Sequence, residues 1–179
     1  SAEGTLYSKF NTYTSLPFTP SVIKSYTDTA DQGDDYLCSI IYAEYNRLRY
    51  EFDIVYTQDA NEITEPLIAE TFEKNNVTEA KIESNNGGRA FARNVERICK
   101  DNGVFSIKFI WFHQSKNKDA RIKANSNNVQ TLVIFPHDWD VRWPEYHDAM
   151  TTYLASGKNR HDDAPDTTTG IVEGKKAPK

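Results

Sequence analysis

Apolar and polar positions change period several times along the chain. Residues 1–21 (SAEGTLYSKFNTYTSLPFTPS) hold two prolines and no sustained period, which predicts an extended N-terminal arm. Three runs rich in Tyr, Ile and Val follow, VIKSYTDT (22–29), YLCSIIYAEYN (36–46) and RYEFDIVYTQ (49–58), and each predicts a strand. The acidic turn ADQGDD joins the first two, and Asn46–Leu48 closes a tight hairpin, so the three predict an antiparallel meander. From Thr64 the spacing becomes helical. Leu67, Ile68, Thr71 and Phe72 share a face, Thr64 opens an N-cap-like turn with Pro66 in its early positions, and the helix ends near Asn75 and Asn76.

The second half alternates strands and helices. EAKIES (79–84) predicts a short buried strand, RAFARNVERICK (89–100) a helix after the turn NNGG, and FSIKFIWF (105–112) another strand. VQTLVIFP (129–136) predicts a short strand, WPEYHDAMTTYLASG (143–157) a helix stopped by Gly157, and DDAPDTTTGIVE (162–173) a final short helix. GKKAPK (174–179) predicts a disordered tail. This order is α/β: a central mixed β-sheet, an antiparallel meander followed by crossover strands, flanked by helices.

Composition narrows the function classes. A chain of 179 residues with 38% hydrophobic and 12% aromatic residues can bury a core without staples. Cys38 and Cys99 stand alone without CxxC spacing, which predicts reduced thiols and supports neither a disulfide framework nor a zinc ribbon. No run reaches the roughly 20 apolar residues of a membrane helix and no signal-peptide pattern opens the chain, so a soluble intracellular protein is expected. The net charge of −5 argues against nonspecific DNA binding unless a local basic patch exists. HQSKNKDARIKANSNN supplies one: Lys116, Lys118, Arg121 and Lys123 against Asp119 alone.

Three acids stand where burial is expected and charge is costly. Asp28 interrupts the first strand, Glu83 ends the apolar run AKIE, and Asp166 lies in the last helix with Asp163 three residues earlier. Carboxylates gathered this way repel one another, which raises a pKa or binds a hard cation, and oxygen-only ligands point to Mg2+ or Mn2+ rather than zinc. Two such ions about 4 Å apart can activate water and stabilise the leaving oxygen of a phosphodiester. Plainer readings exist for each: a helix cap for Asp162 or Asp163, a strand-end acid facing water for Asp28, and a loop-boundary acid paired with Arg89 for Glu83. NNGG is either an ordinary strand-to-helix turn or a place where a phosphate approaches the backbone. The basic stretch reads by default as a solvated loop. His161 reads as a surface or capping residue, and His113, His137 and His147 lack metal-ligand spacing. Trp111, Trp139 and Trp143 read as core or rim aromatics, and the absence of GxxxxGK[ST] excludes a P-loop ATPase within this chain.

Four blocks, YTDTADQGDDYL (26–37), IESNNGGRAFARNVE (82–96), FHQSKNKDARI (112–122) and NRHDDAPDTTTGIVE (159–173), together resemble the C-terminal nuclease domain of phage terminase large subunits, in that family's order. The resemblance implies a ribonuclease H-like fold over 22–173, with residues 1–21 belonging to the interdomain region. It implies a metal-dependent endonuclease that cuts concatemeric double-stranded DNA when packaging begins and ends. Catalytic and metal-binding roles fall on Asp28, Glu83 and the DDxxD acids, with Asp166 as the natural ligand and Asp163 its partner, around two Mg2+ or Mn2+ ions. DNA contacts fall on Asn86, Gly87, Lys116, Lys118, Arg121 and Arg160.

Implied partners are the ATPase motor domain of the full-length protein, the portal protein and the small terminase subunit, in the cytoplasm of a bacterial host carrying the phage or prophage. The family's alanine and leucine after DDAPD are Thr167 and Thr168 here, a departure that bears on how the last helix packs. Two other readings stay open: a catalytically silent ribonuclease H-like module that binds DNA or portal protein, and a resolvase or integrase-type nuclease using the same acids.

Overall fold

A computed structural model describes residues 4–30, 33–83 and 87–174. Asn86, the middle of the ADQGDD turn and the tail from residue 175 lie outside the described residues. The strands are β1 (Asn11–Tyr13), β2 (Lys24–Asp28), β3 (Leu37–Tyr45), β4 (Leu48–Thr57), β5 (Glu79–Glu83), β6 (Lys108–Phe112) and β7 (Val133–Pro136). The helices are α1 (Asn61–Lys74), α2 (Gly88–Asp101), α3 (Lys118–Ala124), α4 (Ser126–Leu132), α5 (Trp139–Arg142), α6 (Pro144–Thr151) and α7 (Asp163–Gly170). None of the described helices is long and apolar enough to cross a membrane.

The strands form one mixed sheet in the order β1-β7-β4-β3-β2-β5-β6. The expected meander is present: β2, β3 and β4 pair antiparallel, while β5, β6, β7 and β1 add in parallel. Asn46 and Arg47 turn the β3–β4 hairpin with φ of 49° and 68°, the left-handed geometry a two-residue hairpin requires. Side chains alternate between two cores. Cys38, Ile40 and Tyr42 of β3 face a layer made by α3, α4, α6 and α7, whereas Leu37 and Ile41 face α1 and α2.

The structure departs from the sequence reading in several places. The N-terminal segment is extended, but Asn11–Tyr13 pairs with β7, and Tyr7, 1% exposed, is part of the core. α1 begins at Asn61 rather than Thr64, because the Ala60 carbonyl accepts from the Ile63 and Thr64 N–H groups. The strand expected over 105–112 is confined to Lys108–Phe112, and Phe105 stands largely in solvent.

The polar stretch after Phe112 is not simply a solvated loop. It holds α3 and α4, which bury Ile122, Val129 and Leu132, and Asn117 caps α3 by accepting from Ala120 N–H. Residues 129–132, expected as strand, complete α4, and the helix expected over 143–157 keeps only Pro144–Thr151. Cys38 and Cys99 are both buried and unpaired.

Candidate metal centre

Thr27 of β2 pairs with Ile82 of β5, so Asp28 and Glu83 stand side by side at the ends of adjacent parallel strands. Both follow the alternation that sends Tyr26 and Lys81 to the α7 side of the sheet. Close contact keeps the next helix near them: a Cβ on Gly88 would lie 1.9 Å from the Glu83 carbonyl oxygen, so only glycine lets α2 begin there. α7 approaches from the other direction and delivers Asp166 in its first turn, where a carboxylate faces the positive end of the helix dipole. A Cβ on Gly170 would lie 2.3 Å from the Tyr26 ring, so α7 packs flush on β2.

One oxygen each from Asp28, Glu83 and Asp166 lies within 4.8 Å of the others, and all three residues are buried. Burial first, and then the hydrogen bond and charge of Glu83, hold the Asp28 carboxyl well above the usual carboxylate range, against the pull of Lys118. The Lys118 ammonium stands 3.6 Å from Asp28 Oδ2 and 3.5 Å from Asp166 Oδ2. Burial works against its charge, but the carboxylates of Asp28 and Asp166 outweigh that and push its pKa up. A lysine thus reaches into a cluster of acids that already calls for positive charge.

Asp163 is buried too but turned elsewhere. Its Oδ2 accepts from the Tyr36 backbone N–H at 3.1 Å, which ties α7 to the start of β3. Burial pushes its carboxyl up to about 6, with the Tyr36 N–H and Lys118 pulling the other way. The two threonines that depart from the related pattern are buried with satisfied hydroxyls: Thr167 Oγ1 donates to the Asp163 carbonyl, and Thr168 Oγ1 donates to that of Ala164. His161 packs edge-on against Tyr36, 3.9 Å from Asp34, away from the three clustered acids.

The residues read as DNA contacts separate. Gly87, Lys116 and Arg160 are exposed, Lys118 is partly exposed over the acids, and Arg160 stands 3.7 Å from Asp34. Arg121 is not on the surface. It is 5% exposed, paired with Asp166 through Nη1 and bidentate with Glu173 at 3.0–3.2 Å. Arg89 does not pair with Glu83; its guanidinium lies over the Trp111 ring. Sequence reasoning also passed over Glu51, fully buried on β4, whose carboxylate accepts from Tyr146 Oη at 3.2 Å. Strict alternation in RYEFDIVY sets Glu51 with Arg49 and Asp53, opposite Phe52 and Ile54, so no local pattern marks it; the register shift between Ile41 and Tyr42, which pair with Asp53 and Glu51, turns it to the face of Ile54.

The donor set suits a hard divalent cation. Three carboxylates converge with no cysteine or histidine among them, and their mutual repulsion is offset in this structure by a lysine ammonium.

Comparison with known proteins extends these observations. No curated protein matches the sequence. Among solved structures, the large terminase of a thermophilic bacteriophage is similar with a TM-score of 0.61 at 13% identity, covering 96% of this chain and 45% of that one. This chain therefore spans less than half of that protein. The nuclease domain of the bacteriophage SPP1 large terminase, solved with bound Mn, gives a TM-score of 0.55 at 13% identity and covers 86% of each chain. The human cytomegalovirus terminase nuclease domain, soaked with Mn, gives 0.55 at 11% identity over 92% of this chain and 88% of that one. At such identities the likeness establishes the fold alone. A family model, the terminase RNaseH-like domain, matches residues 25–173. Since that match runs from the strand bearing Asp28 through the helix bearing Asp166, the chain belongs to the terminase RNaseH-like domain family.

Proposed function

We propose that this domain is a divalent-metal-dependent endonuclease that cuts double-stranded DNA, as part of a phage terminase large subunit that trims concatemeric DNA when packaging begins and ends. The observation that carries the reading is the convergence of Asp28, Glu83 and Asp166, buried and within 4.8 Å of one another, at the ends of two parallel strands and the start of a helix. Asp28, Glu83 and Asp166 would hold two Mg2+ or Mn2+ ions. When bound, the ions neutralise the carboxylates, polarise the scissile phosphate and favour deprotonation of the attacking water.

The chain's own residues then do four things. Arg121 fixes the rotamer of Asp166 from behind, so the carboxylate is held ready rather than recruited. Asp163 anchors the N-terminus of α7 to β3 through Tyr36. Lys118 offsets the charge of Asp28 and Asp166 from 3.5–3.6 Å and, being partly exposed, would also meet the DNA backbone. Lys116 and Arg160, both exposed, with Gly87 and Asn86 after Glu83, contact the sugar-phosphate backbone and give salt-dependent binding with little sequence preference. In the full-length protein the domain works beside an ATPase motor, with the portal protein and the small subunit as partners, in the cytoplasm of the bacterial host.

The decisive test is cleavage of supercoiled plasmid by the purified chain with Mn2+, beside EDTA and Asp28→Ala controls. Loss of cleavage in both controls supports the reading. Intact plasmid under every metal condition sinks it in favour of a silent interaction module. Preference for a four-way junction over linear duplex would move the assignment to a resolvase.

A further inference from the structure

α2 carries arginines at 89, 93 and 97, one helical turn apart along an exposed face. Their surroundings differ. Arg97 pairs with Asp101 at 3.7 Å, and Lys100 pairs with Glu96 at 3.5 Å, so the far half of the helix neutralises its own charge. Arg89 and Arg93, nearest the metal centre, form no salt bridge with a carboxylate among the described residues. Both lie over one ring, that of Trp111, at 4.9 and 5.7 Å.

Trp111 sits on the edge strand β6, where it is the register partner of Ile82, one residue before Glu83, and it remains 38% exposed. Two like charges one turn apart are unfavourable for an isolated helix.

We infer that Arg89, Arg93 and Trp111 form a phosphate-binding edge that holds the backbone of duplex DNA beside the metal centre, on the α2 flank of the sheet. Lys116 and Lys118 belong to the α3 flank, so the two sets would grip the substrate on either side of the carboxylates. The inference rests on the nuclease reading above and adds a surface to it.

Three observations favour a polyanion as occupant. Charge is left uncompensated only in the half of α2 next to Glu83 and is balanced beyond it. Both guanidinium groups lie over the Trp111 ring, a contact that does not use their N–H donors and leaves these for phosphate oxygens. The spot also adjoins the strand end that carries Glu83, since Gly88, the residue before Arg89, abuts the Glu83 backbone carbonyl.

The test is duplex DNA binding by fluorescence anisotropy across about 50 to 200 mM salt, in Ca2+ to suppress cleavage. It compares the wild-type chain with Arg89→Ala/Arg93→Ala and with Trp111→Ala, and all three are also assayed for plasmid cleavage in Mn2+. The double variant is expected to weaken binding at least tenfold and to flatten the slope of log affinity against log salt by about 2, since each phosphate contact contributes about 0.9. Trp111→Ala is expected to weaken binding with a smaller change of slope. The melting temperature of the double variant should stay close to wild type, because both arginines are exposed.

Unchanged affinity and slope in a double variant, when the wild type binds and cuts DNA, overturns this inference and leaves the nuclease reading intact. A wild type that neither binds nor cuts duplex overturns both. Unchanged DNA binding with lost association to the ATPase motor domain would assign the surface to a protein partner and overturn it as well.

Discussion

Arg121 and Asp166 form an ion pair in which each side chain is only 4% exposed, and the same guanidinium is held from its other side by Glu173. Both acids lie on the last stretch of chain, Asp166 within α7 and Glu173 just after it, so α3 clamps that stretch through one residue. Removing one partner of a buried pair costs more than the pair contributes, because the other charge is left unpaired. Arg121→Ala is therefore expected to lose about 3–5 kcal/mol of stability and to abolish cleavage. Arg121→Lys should recover part of the stability but little activity, since an ammonium cannot reproduce the forked contact. Urea unfolding and plasmid cleavage on the same preparations check this; an active, stable alanine variant would show that Asp166 needs no support.

Asp28 is buried and hydrogen-bonded to Glu83, and burial with that neighbour holds its carboxyl well above the usual range. Asp28→Asn keeps the shape and removes one like charge. The metal-free variant should melt at a higher temperature than the wild type, because the repulsion is relieved. It should also lose cleavage and most of the stabilisation that Mn2+ gives the wild type, which follows RT ln(1 + [L]/Kd). Thermal melts with and without Mn2+ measure all of this. Equal Mn2+ shifts in the two proteins would remove Asp28 from the ligand set.

Gly88 sets how closely α2 meets β5. Alanine there would drive its Cβ into the Glu83 carbonyl oxygen, 1.9 Å away, and the obstacle is backbone rather than a flexible side chain. Gly88→Ala is expected to displace the end of β5, cost about 1–3 kcal/mol, and weaken Mn2+ binding more than it weakens folding. Comparison with Gly87→Ala separates the effects: Gly87 has a φ of 93° but open space around its missing Cβ, so that change strains the backbone without pushing on Glu83. Matching Mn2+ affinities in the two variants would mean that the close approach does not position Glu83.

What the sequence disclosed follows from where the information is local. The meander, the positions of Asp28 and Glu83 at strand ends and of Asp166 on a final helix all follow from period and spacing over a few residues. α3 and α4 were hidden because their apolar residues, Ile122, Val129 and Leu132, are sparse among asparagines and lysines, and their helicity depends on packing against α7 and the sheet. Arg121 looked like one more member of a basic run. Its burial depends on acids 45 and 52 residues away, which no local pattern records. Spacing along the helix alone does not separate Asp163 from Asp166; tertiary contact gives one to the Tyr36 N–H and the other to the cluster.

Glu51 offers a pH test away from the metal centre. It is fully buried, hydrogen-bonded to Tyr146, and burial pushes its carboxyl from the ordinary value of 4.5 up to about 8. Tyr146 Oη in turn lies 2.6 Å from Thr168 Oγ1, so this acid supports the helix that carries Asp166. A raised folded-state pKa means that the folded protein holds the proton more tightly than the unfolded chain does. The stability contribution is fully present below about 4.5 and is lost as pH rises through about 8. Glu51→Gln keeps an oxygen for Tyr146 and cannot ionise. The two proteins should differ least at about pH 4.5, and the gap should widen as pH climbs toward 8. By pH 9 the glutamine variant should be the more stable, each kcal/mol of difference appearing as about 2–4 °C in melting temperature for a chain of this size. Parallel melting curves across that range would mean that the carboxyl ionises without cost, and that the Tyr146–Thr168 link to α7 does not depend on its proton.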